Sequence, residues 1–429
     1  MLAFKDSIDF ALKMDAEDDL KIFRNQFFIP QHNGKDVIYF CGNSLGLQPK
    51  SAKNVVDKVL NDWEKLGVEG HFKGDSPWVS YHKQFREPIS QLVGALSHEV
   101  VVMNNLSTNL HLLLVSFYQP TANRYKIICE AGAFPSDQYA LESHVKYHGF
   151  DPEDAIIELA PSDGEYILHT ENIIEAIEKH QNETALILLG GVNYYTGQLF
   201  DMQRITSIAR KCKIFIGFDL AHAIGNVSLK LHDWRVDFAV WCSYKYLNSG
   251  PGGVGGAFIH EKYADRIDLP RFAGWWGYDE TARFEMKKGF KPIFGADGWQ
   301  LSNAGIVQMA VHKASLDIFM NAGMENLKAK SDKLTGFLEF ILKKDNVLNK
   351  HLKIITPSFL SERGCQLSLL IDEKGKQIFD IISGEGLICD WREPNVIRLT
   401  PVPLYNSFED VFRAGEILKR AIESVNKNN

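Results

Sequence analysis

Lys245 and Asp219 are the two side chains whose type and setting carry the most chemistry. Lys245 lies in Trp241-Cys242-Ser243-Tyr244-Lys245-Tyr246-Leu247-Asn248-Ser249-Gly250-Pro251-Gly252-Gly253. The run before it, Asp237-Phe238-Ala239-Val240-Trp241-Cys242, is short and largely apolar, which predicts a buried strand. The lysine is thus delivered to a strand's carboxyl end, where open α/β sheets present reacting groups. Desolvation by apolar neighbours favours the free amine that a Schiff base requires. A solitary lysine at a strand end is more often a charge snorkelling to water, so the assignment needs corroboration.

Asp219 supplies it. In Phe218-Asp219-Leu220-Ala221-His222-Ala223-Ile224-Gly225 the aspartate ends a predicted strand, 213–219, with no cation beside it in sequence. A buried carboxylate must be paired, and one good partner is the protonated nitrogen of a pyridoxal ring. Taken alone it would also read as a helix N-cap. An aspartate at one strand end and a Ser-x-Lys after the next strand can emerge on the same sheet edge. A third stretch, Ala133-Phe134-Pro135-Ser136-Asp137, follows a strand and opens a helix. Phe134 is placed to stack on an aromatic cofactor, although most phenylalanines simply pack in cores. Leu106-Ser107-Thr108-Asn109 opens another helix, with Ser107 as the expected N-cap; free N–H groups and the helix dipole there suit a phosphate. Tyr244 can add a hydrogen bond, and a phenol beside the Lys245 ammonium is expected to have a lowered pKa.

The elements that must position these residues alternate. Strands are expected at 100–103, 125–129, 185–189, 213–219 and 237–242, with helices from 107, from 135 and over 201–211. That pattern predicts a mostly parallel central sheet flanked by helices. Helices over 50–65 and 80–95 precede it. Beyond 300, helices near 302–320, 324–343, 375–383 and 408–426, with strands near 351–357 and 365–371, predict a smaller α+β domain. The expected division is an N-terminal segment 1–60 completing that small domain, a large domain 61–305 and a C-terminal small domain 306–429. The glycine-bracketed turn Gly42-Asn43-Ser44-Leu45-Gly46 reads slightly better as a loop than as a ligand contact.

The chain has 429 residues, 45% hydrophobic and 24% charged, with a net charge of −7, a balance that argues against a nucleic-acid or anionic-membrane partner. Six scattered cysteines without a C-x-x-C pair, an acidic N-terminus and no apolar run near membrane-spanning length predict a cytoplasmic protein with reduced thiols. No metal is expected. His144 and His148 share a helical face but lack the rest of a zinc set. Gly250-Pro251-Gly252-Gly253-Val254-Gly255 fits a dinucleotide fingerprint, yet a strand-like run, Ala257-Phe258-Ile259, follows where a helix is required.

The chain resembles the kynureninases, pyridoxal 5′-phosphate enzymes of the aspartate aminotransferase (fold type I) superfamily. The resemblance spans most of the chain. It rests on Gly42–Gly46, Asn109-Leu110-His111-Leu112-Leu113, Ala133–Asp137, Gly191-Val192-Asn193-Tyr194-Tyr195-Thr196-Gly197, Phe218–His222, Cys242–Asn248, Gly274-Trp275-Trp276-Gly277 and Pro401-Val402-Pro403-Leu404-Tyr405-Asn406. It implies that Lys245 forms the Schiff base with the cofactor and later shuttles protons; Tyr244, by its place beside Lys245, is the expected acid–base group. It also implies that Asp219 pairs with the ring nitrogen beside His222, that Phe134 stacks on the ring, and that Pro135, Ser136 and Asp137 lie around it. By the same resemblance Leu106, Ser107 and Tyr244 line the phosphate side, while Trp275 and Asn303 contact the cofactor across a homodimer interface. Arg398 would hold the substrate carboxylate, with His71 and Asn303 near its aromatic ring. The implied activity is hydrolytic cleavage of L-kynurenine or its 3-hydroxy form to an anthranilate and L-alanine, in tryptophan catabolism or NAD biosynthesis. The nearest alternative is another fold type I enzyme, an aminotransferase or a cysteine desulfurase. Two positions depart from the family pattern: Ser107, where threonine is common, and Gly190, where the animal enzymes are expected to carry serine.

Overall fold

The computed structural model describes residues 3–371 and 373–427. Seven strands form the large sheet: β1 Val100–Val102, β2 Lys126–Glu130, β3 Ile156–Leu159, β4 Thr184–Gly190, β5 Phe215–Asp219, β6 Phe238–Cys242 and β7 Gly255–Ile259, in the order β1-β7-β6-β5-β4-β2-β3. All neighbours are parallel except β7, which runs antiparallel to both β6 and β1. Helices cover both faces, so β4 to β7 read as near-continuous apolar runs rather than alternating ones. The strand β7 replaces the helix a dinucleotide fingerprint would need, as expected for Gly250–Gly255.

Parallel registry brings the carboxyl ends of β4 and β5 level, with Gly190 opposite Asp219. Two glycines permit close approach between neighbours here. A Cβ at Gly217 of β5 would lie 2.1 Å from the ring of Phe238, its registered partner on β6. A Cβ at Gly255, where β7 begins, would lie 3.0 Å from the Asn105 backbone, so the helix Leu106–Phe117 starts directly over the sheet edge. Asn105, not Ser107, is the N-cap: its side chain accepts from the Thr108 amide at 3.0 Å. The expected cap fails because the cap falls two residues earlier, leaving Ser107 in the first turn and on the cavity wall.

A second, four-stranded sheet is antiparallel throughout: β8 Lys353–Ile354, β9 Leu367–Leu370, β10 Asp390–Arg392 and β11 Val396–Leu399, in the order β8-β9-β11-β10. It packs with the helices Met324–Lys344, Gly375–Gly384 and Phe408–Lys427 around Phe337, Leu338, Leu367, Leu369, Ile397 and Leu418. The N-terminal segment joins this core through Ala11, Met14, Ile38 and Phe40, and Ile38–Tyr39 pairs in parallel with Leu387–Ile388. The helix Ile306–Ala322 instead buries Met309, Ala310, Leu316, Ile318 and Phe319 in the large-sheet core. The helix Met324–Lys344 joins the two cores, with Leu327 in the large one and Leu334, Phe337 and Leu338 in the small one. The strands at 387–392 and 396–399 were not expected from periodicity; each has four residues or fewer, below the length at which alternation can be read.

Candidate active site

Lys245 reaches its position through a tight turn. β6 ends at Cys242, then the Asn248 amide donates to the Lys245 carbonyl at 3.0 Å and the Ser249 amide to the Ser243 carbonyl at 3.1 Å. The turn is clamped from the N-terminal segment: the Gly46 amide donates to the Tyr244 carbonyl at 2.8 Å. A Cβ at Gly46 would lie 2.3 Å from the Lys245 carbonyl oxygen, so only glycine fits. Gly42–Gly46 is therefore no free loop. It is the brace of the lysine turn.

One cavity at the carboxyl ends of the strands is lined by Leu106, Ser107, Phe134, Ser136, Asp137, Asp219, His222, Tyr244 and Lys245. Nine sequence-identified residues thus converge from four separate stretches. Pro135 stands just outside the wall, as the first residue of the helix Pro135–Tyr147, where its missing N–H costs nothing. Glu130, Gly190, Val192, Tyr194, Ala221 and Cys242 complete the lining. Sequence reasoning assigned no role to Glu130 or Cys242, although Glu130 follows an apolar strand exactly as Asp219 does.

Within the cavity Lys245 Nζ lies 2.9 Å from His222 Nε2 and 5.7 Å from the centroid of the Phe134 ring. Burial, with Lys245 next, holds His222 well below the usual imidazole range, so its Nε2 accepts from the lysine while its Nδ1 stays buried without a partner. Asp219 Oδ1 accepts from the Ala221 amide at 2.7 Å. Burial raises its pKa, against the pull of Lys245. Asp137 is raised well above the usual carboxyl range by burial and by Asp219. Glu130 is pushed up to about 7 by burial and by Asp219.

Tyr244 departs from expectation. Burial, then the Cys242 thiol, raises its pKa, and the Lys245 ammonium does not offset them. The reason is direction and depth: the ammonium lies 6.0 Å from the phenol ring, whereas the hydroxyl is desolvated next to Cys242. The phenol is therefore held protonated, as an acid rather than a ready base.

Arg398 is fully buried on β11 and outside the cavity wall. Its Nη1 donates to the Tyr194 carbonyl at 2.6 Å and its Nη2 to Asp390 at 2.5 Å, while Nε is buried without a partner. It is near enough to depress His222 further. Three other residues are not brought to the cavity of this chain. His71 is half-buried, with Nδ1 3.0 Å from the Val68 carbonyl and its ring edge-on to Trp78. Trp275 donates its Nε1 to the Arg283 carbonyl at 3.2 Å, and Asn303 is exposed.

The residues present fit a pyridoxal phosphate. Asp137 and Asp219, buried together beside one ammonium, leave an acidic group that a protonated ring nitrogen would pair. The amide groups opening the helix Leu106–Phe117, with the Ser107 hydroxyl, suit a phosphate. By contrast Cys365 is fully buried, its thiol pushed up to about 12, which is unlike a reactive nucleophile.

The comparisons agree with this geometry. The aminotransferase class-V family model matches residues 38–356 and the kynureninase C-terminal domain model matches 327–418. The chain is 54% identical over 422 residues to a kynureninase of Flavobacterium psychrophilum, covering 98% of this chain and 99% of that one. It is 53% identical over 411 residues to a kynureninase of Myxococcus xanthus, covering 96% of each, and 47% identical over 453 residues to one from Nematostella vectensis, covering 100% and 97%. Among solved structures, a cysteine desulfurase from Thermococcus onnurineus NA1 superposes with a TM-score of 0.77 at 17% identity over 94% of this chain and 98% of that one, a likeness of fold. A lysine on a strand-end turn, a buried aspartate level with it, a phosphate-ready helix start and near-complete alignment with these relatives place the chain in the kynureninase family, with pyridoxal 5′-phosphate as its cofactor.

Proposed function

We propose that the chain hydrolyses L-kynurenine, or its 3-hydroxy form, to anthranilate or 3-hydroxyanthranilate and L-alanine. The observation that carries this reading is the cavity that gathers Lys245, Asp219, His222 and Phe134 in a chain aligned end to end with kynureninases. When bound, the cofactor serves as an electron sink for the carbanion at the substrate's Cα. Asp219 keeps the ring nitrogen protonated, and Phe134 covers the ring. Lys245 Nζ, displaced as a free amine, removes the Cα proton and returns it elsewhere on the substrate. His222, neutral and 2.9 Å away, accepts a hydrogen bond from that nitrogen without adding charge. Arg398 holds the substrate carboxylate once it exchanges its present acceptors for it, since a guanidinium fork matches a carboxylate. Tyr244, held protonated by burial, gives a proton as water adds to the γ-carbonyl and the Cβ–Cγ bond breaks. One water is consumed, and no oxidant or keto-acid acceptor is needed.

Pro135, Ser136 and Asp137 serve as cofactor contacts, and Leu106 with Ser107 as phosphate contacts. Trp275, Asn303 and His71 stand outside this chain's cavity, which supports a homodimer in which they complete the partner's site. The large domain is taken as 61–305, and the small one as 306–429 with 1–60. A cytoplasmic place in tryptophan catabolism or NAD biosynthesis goes with this reading. Among the described residues no helix is long and apolar enough to cross a membrane.

The test is steady-state kinetics on the two substrates, with alanine measured in the absence of any keto acid, after borohydride reduction and peptide mapping. Alanine production with the reduced adduct on Lys245 is expected. An adduct elsewhere, or turnover that depends on a keto acid, would overturn the assignment.

A further inference from the structure

Glu130 takes no part in the chemistry above, yet its placement is specific. It ends β2, and β4 stands between it and Asp219 on β5. β4 ends in Gly190, against which the carboxyl packs: a Cβ there would lie 3.4 Å from Glu130 Oε1. Asn193 Nδ2 lies 3.4 Å from Oε1. Oε2 is buried without a partner.

Asn193 is in turn the centre of the Asn193–Gly197 turn. Its Oδ1 accepts from the Tyr195 amide at 3.0 Å, the Thr196 amide at 2.9 Å and the Thr196 hydroxyl at 3.0 Å. The turn so pinned presents the Tyr194 carbonyl to Arg398 Nη1 at 2.6 Å and sets the Tyr194 ring edge-on to Phe134, centroids 5.4 Å apart. One short path therefore runs from a buried carboxyl in the large sheet to the arginine of the small sheet.

We propose that Glu130 is a positioning residue for the substrate carboxylate: braced over Gly190, it holds Asn193, and through the Tyr194 carbonyl it orients Arg398. This rests on the reading of Arg398 as the carboxylate-binding residue. A carboxyl crowded by Asp219 and Asp137 acts here as a hydrogen-bonding frame rather than as a charge, so glutamine should replace it and alanine should not.

The experiment compares holoenzyme carrying Glu130→Ala, Glu130→Gln, Asn193→Ala and the Glu130→Ala/Asn193→Ala pair. It reads KM, kcat, cofactor affinity, and the Kd of L-alanine from the change in cofactor absorbance. Losing one buried hydrogen-bonded brace predicts about a tenfold rise in KM and in the L-alanine Kd for Glu130→Ala. Cofactor affinity and kcat should stay within about threefold of the parent, and Glu130→Gln should rescue both affected constants. Asn193→Ala should reproduce the alanine variant, and the pair should be no worse than either alone. Unchanged L-alanine binding in Glu130→Ala, a glutamine variant as weak as the alanine one, or additive effects would overturn the proposal. If Glu130→Ala does not fold, Asn193→Ala decides: a raised L-alanine Kd supports the brace and an unchanged one refutes it. Because L-alanine binding is read without turnover, absence of kynurenine hydrolysis by the parent enzyme would sink the proposed activity and leave this result standing.

Discussion

Asp219 and Tyr244 show how a buried group's surroundings decide its role. Asp219 accepts one backbone amide, and Lys245 lowers its pKa against the effect of burial. Replacing it by asparagine keeps the amide contact but removes the charge that holds a proton on the ring nitrogen. Turnover of Asp219→Asn should therefore fall by about 10²- to 10⁴-fold, the usual weight of an acid–base group, with the cofactor still bound. Stopped-flow turnover beside a cofactor-binding titration checks this. Tyr244→Phe tests a separate step: turnover should fall while the visible absorbance of the bound cofactor is unchanged, and parental turnover would remove Tyr244 from the chemistry. Both residues were legible from their neighbours in sequence. The direction of the Tyr244 shift was not, because adjacency to Lys245 says nothing about how deeply the hydroxyl is buried.

At the scale of elements, the helix Leu106–Phe117 separates two tasks that the sequence appeared to give to one residue. Asn105 caps it, whereas Ser107 sits in the first turn facing the cavity. Asn105→Ala should cost about 1 kcal/mol of stability, as loss of an N-cap does. Ser107→Ala should leave the unfolding midpoint unchanged within error and weaken cofactor binding; urea melts of the cofactor-free chain and an equilibrium titration distinguish the two. The long strands and helices of the large sheet were readable because their apolar runs are longer than the turns between them. The clamp of Gly46 on the lysine turn was not, since it joins residues nearly two hundred positions apart through backbone atoms alone.

Over the whole molecule, buried histidines set the acid limit of stability. His82, His144 and His260 are lowered to about 4 and His312 to about 3, each chiefly by burial. The sign follows from linkage. Below the ordinary value of 6.5 the unfolded chain takes up protons that the folded chain refuses, so their contribution is present above that pH and is lost as pH falls through 4. Each such proton costs about 1.4 kcal/mol per pH unit. His312 lies flat against Phe85 with both ring nitrogens unpartnered, so leucine should be tolerated there. In His312→Leu the loss of stability between pH 7 and pH 5 should shrink by about 2 kcal/mol, measured by urea unfolding at both values. On the other side of the range Glu130, Asp137 and Asp219 act oppositely in the cofactor-free chain. Their raised pKa values stabilise it below the ordinary carboxyl range, and this is lost as pH rises, through about 7 for Glu130. Assembly belongs to this scale too. Mixing inactive Lys245→Ala with inactive Trp275→Ala should restore activity if each chain completes its partner's site, and should restore none if each site is self-contained.

The amino-acid sequence determined the chemistry of the molecule and the alternation that builds its sheet. A lysine after one apolar strand, an aspartate ending the one before it and a Phe-Pro-Ser-Asp helix start are local signals, each complete within a dozen residues. Tertiary structure alone decided which groups share the space between them. Packing set the neutral state of His222, the raised pKa values of Asp137 and Asp219, and the contact of Glu130 with Gly190. Those depend on burial and on distances across strands that no spacing along the chain encodes.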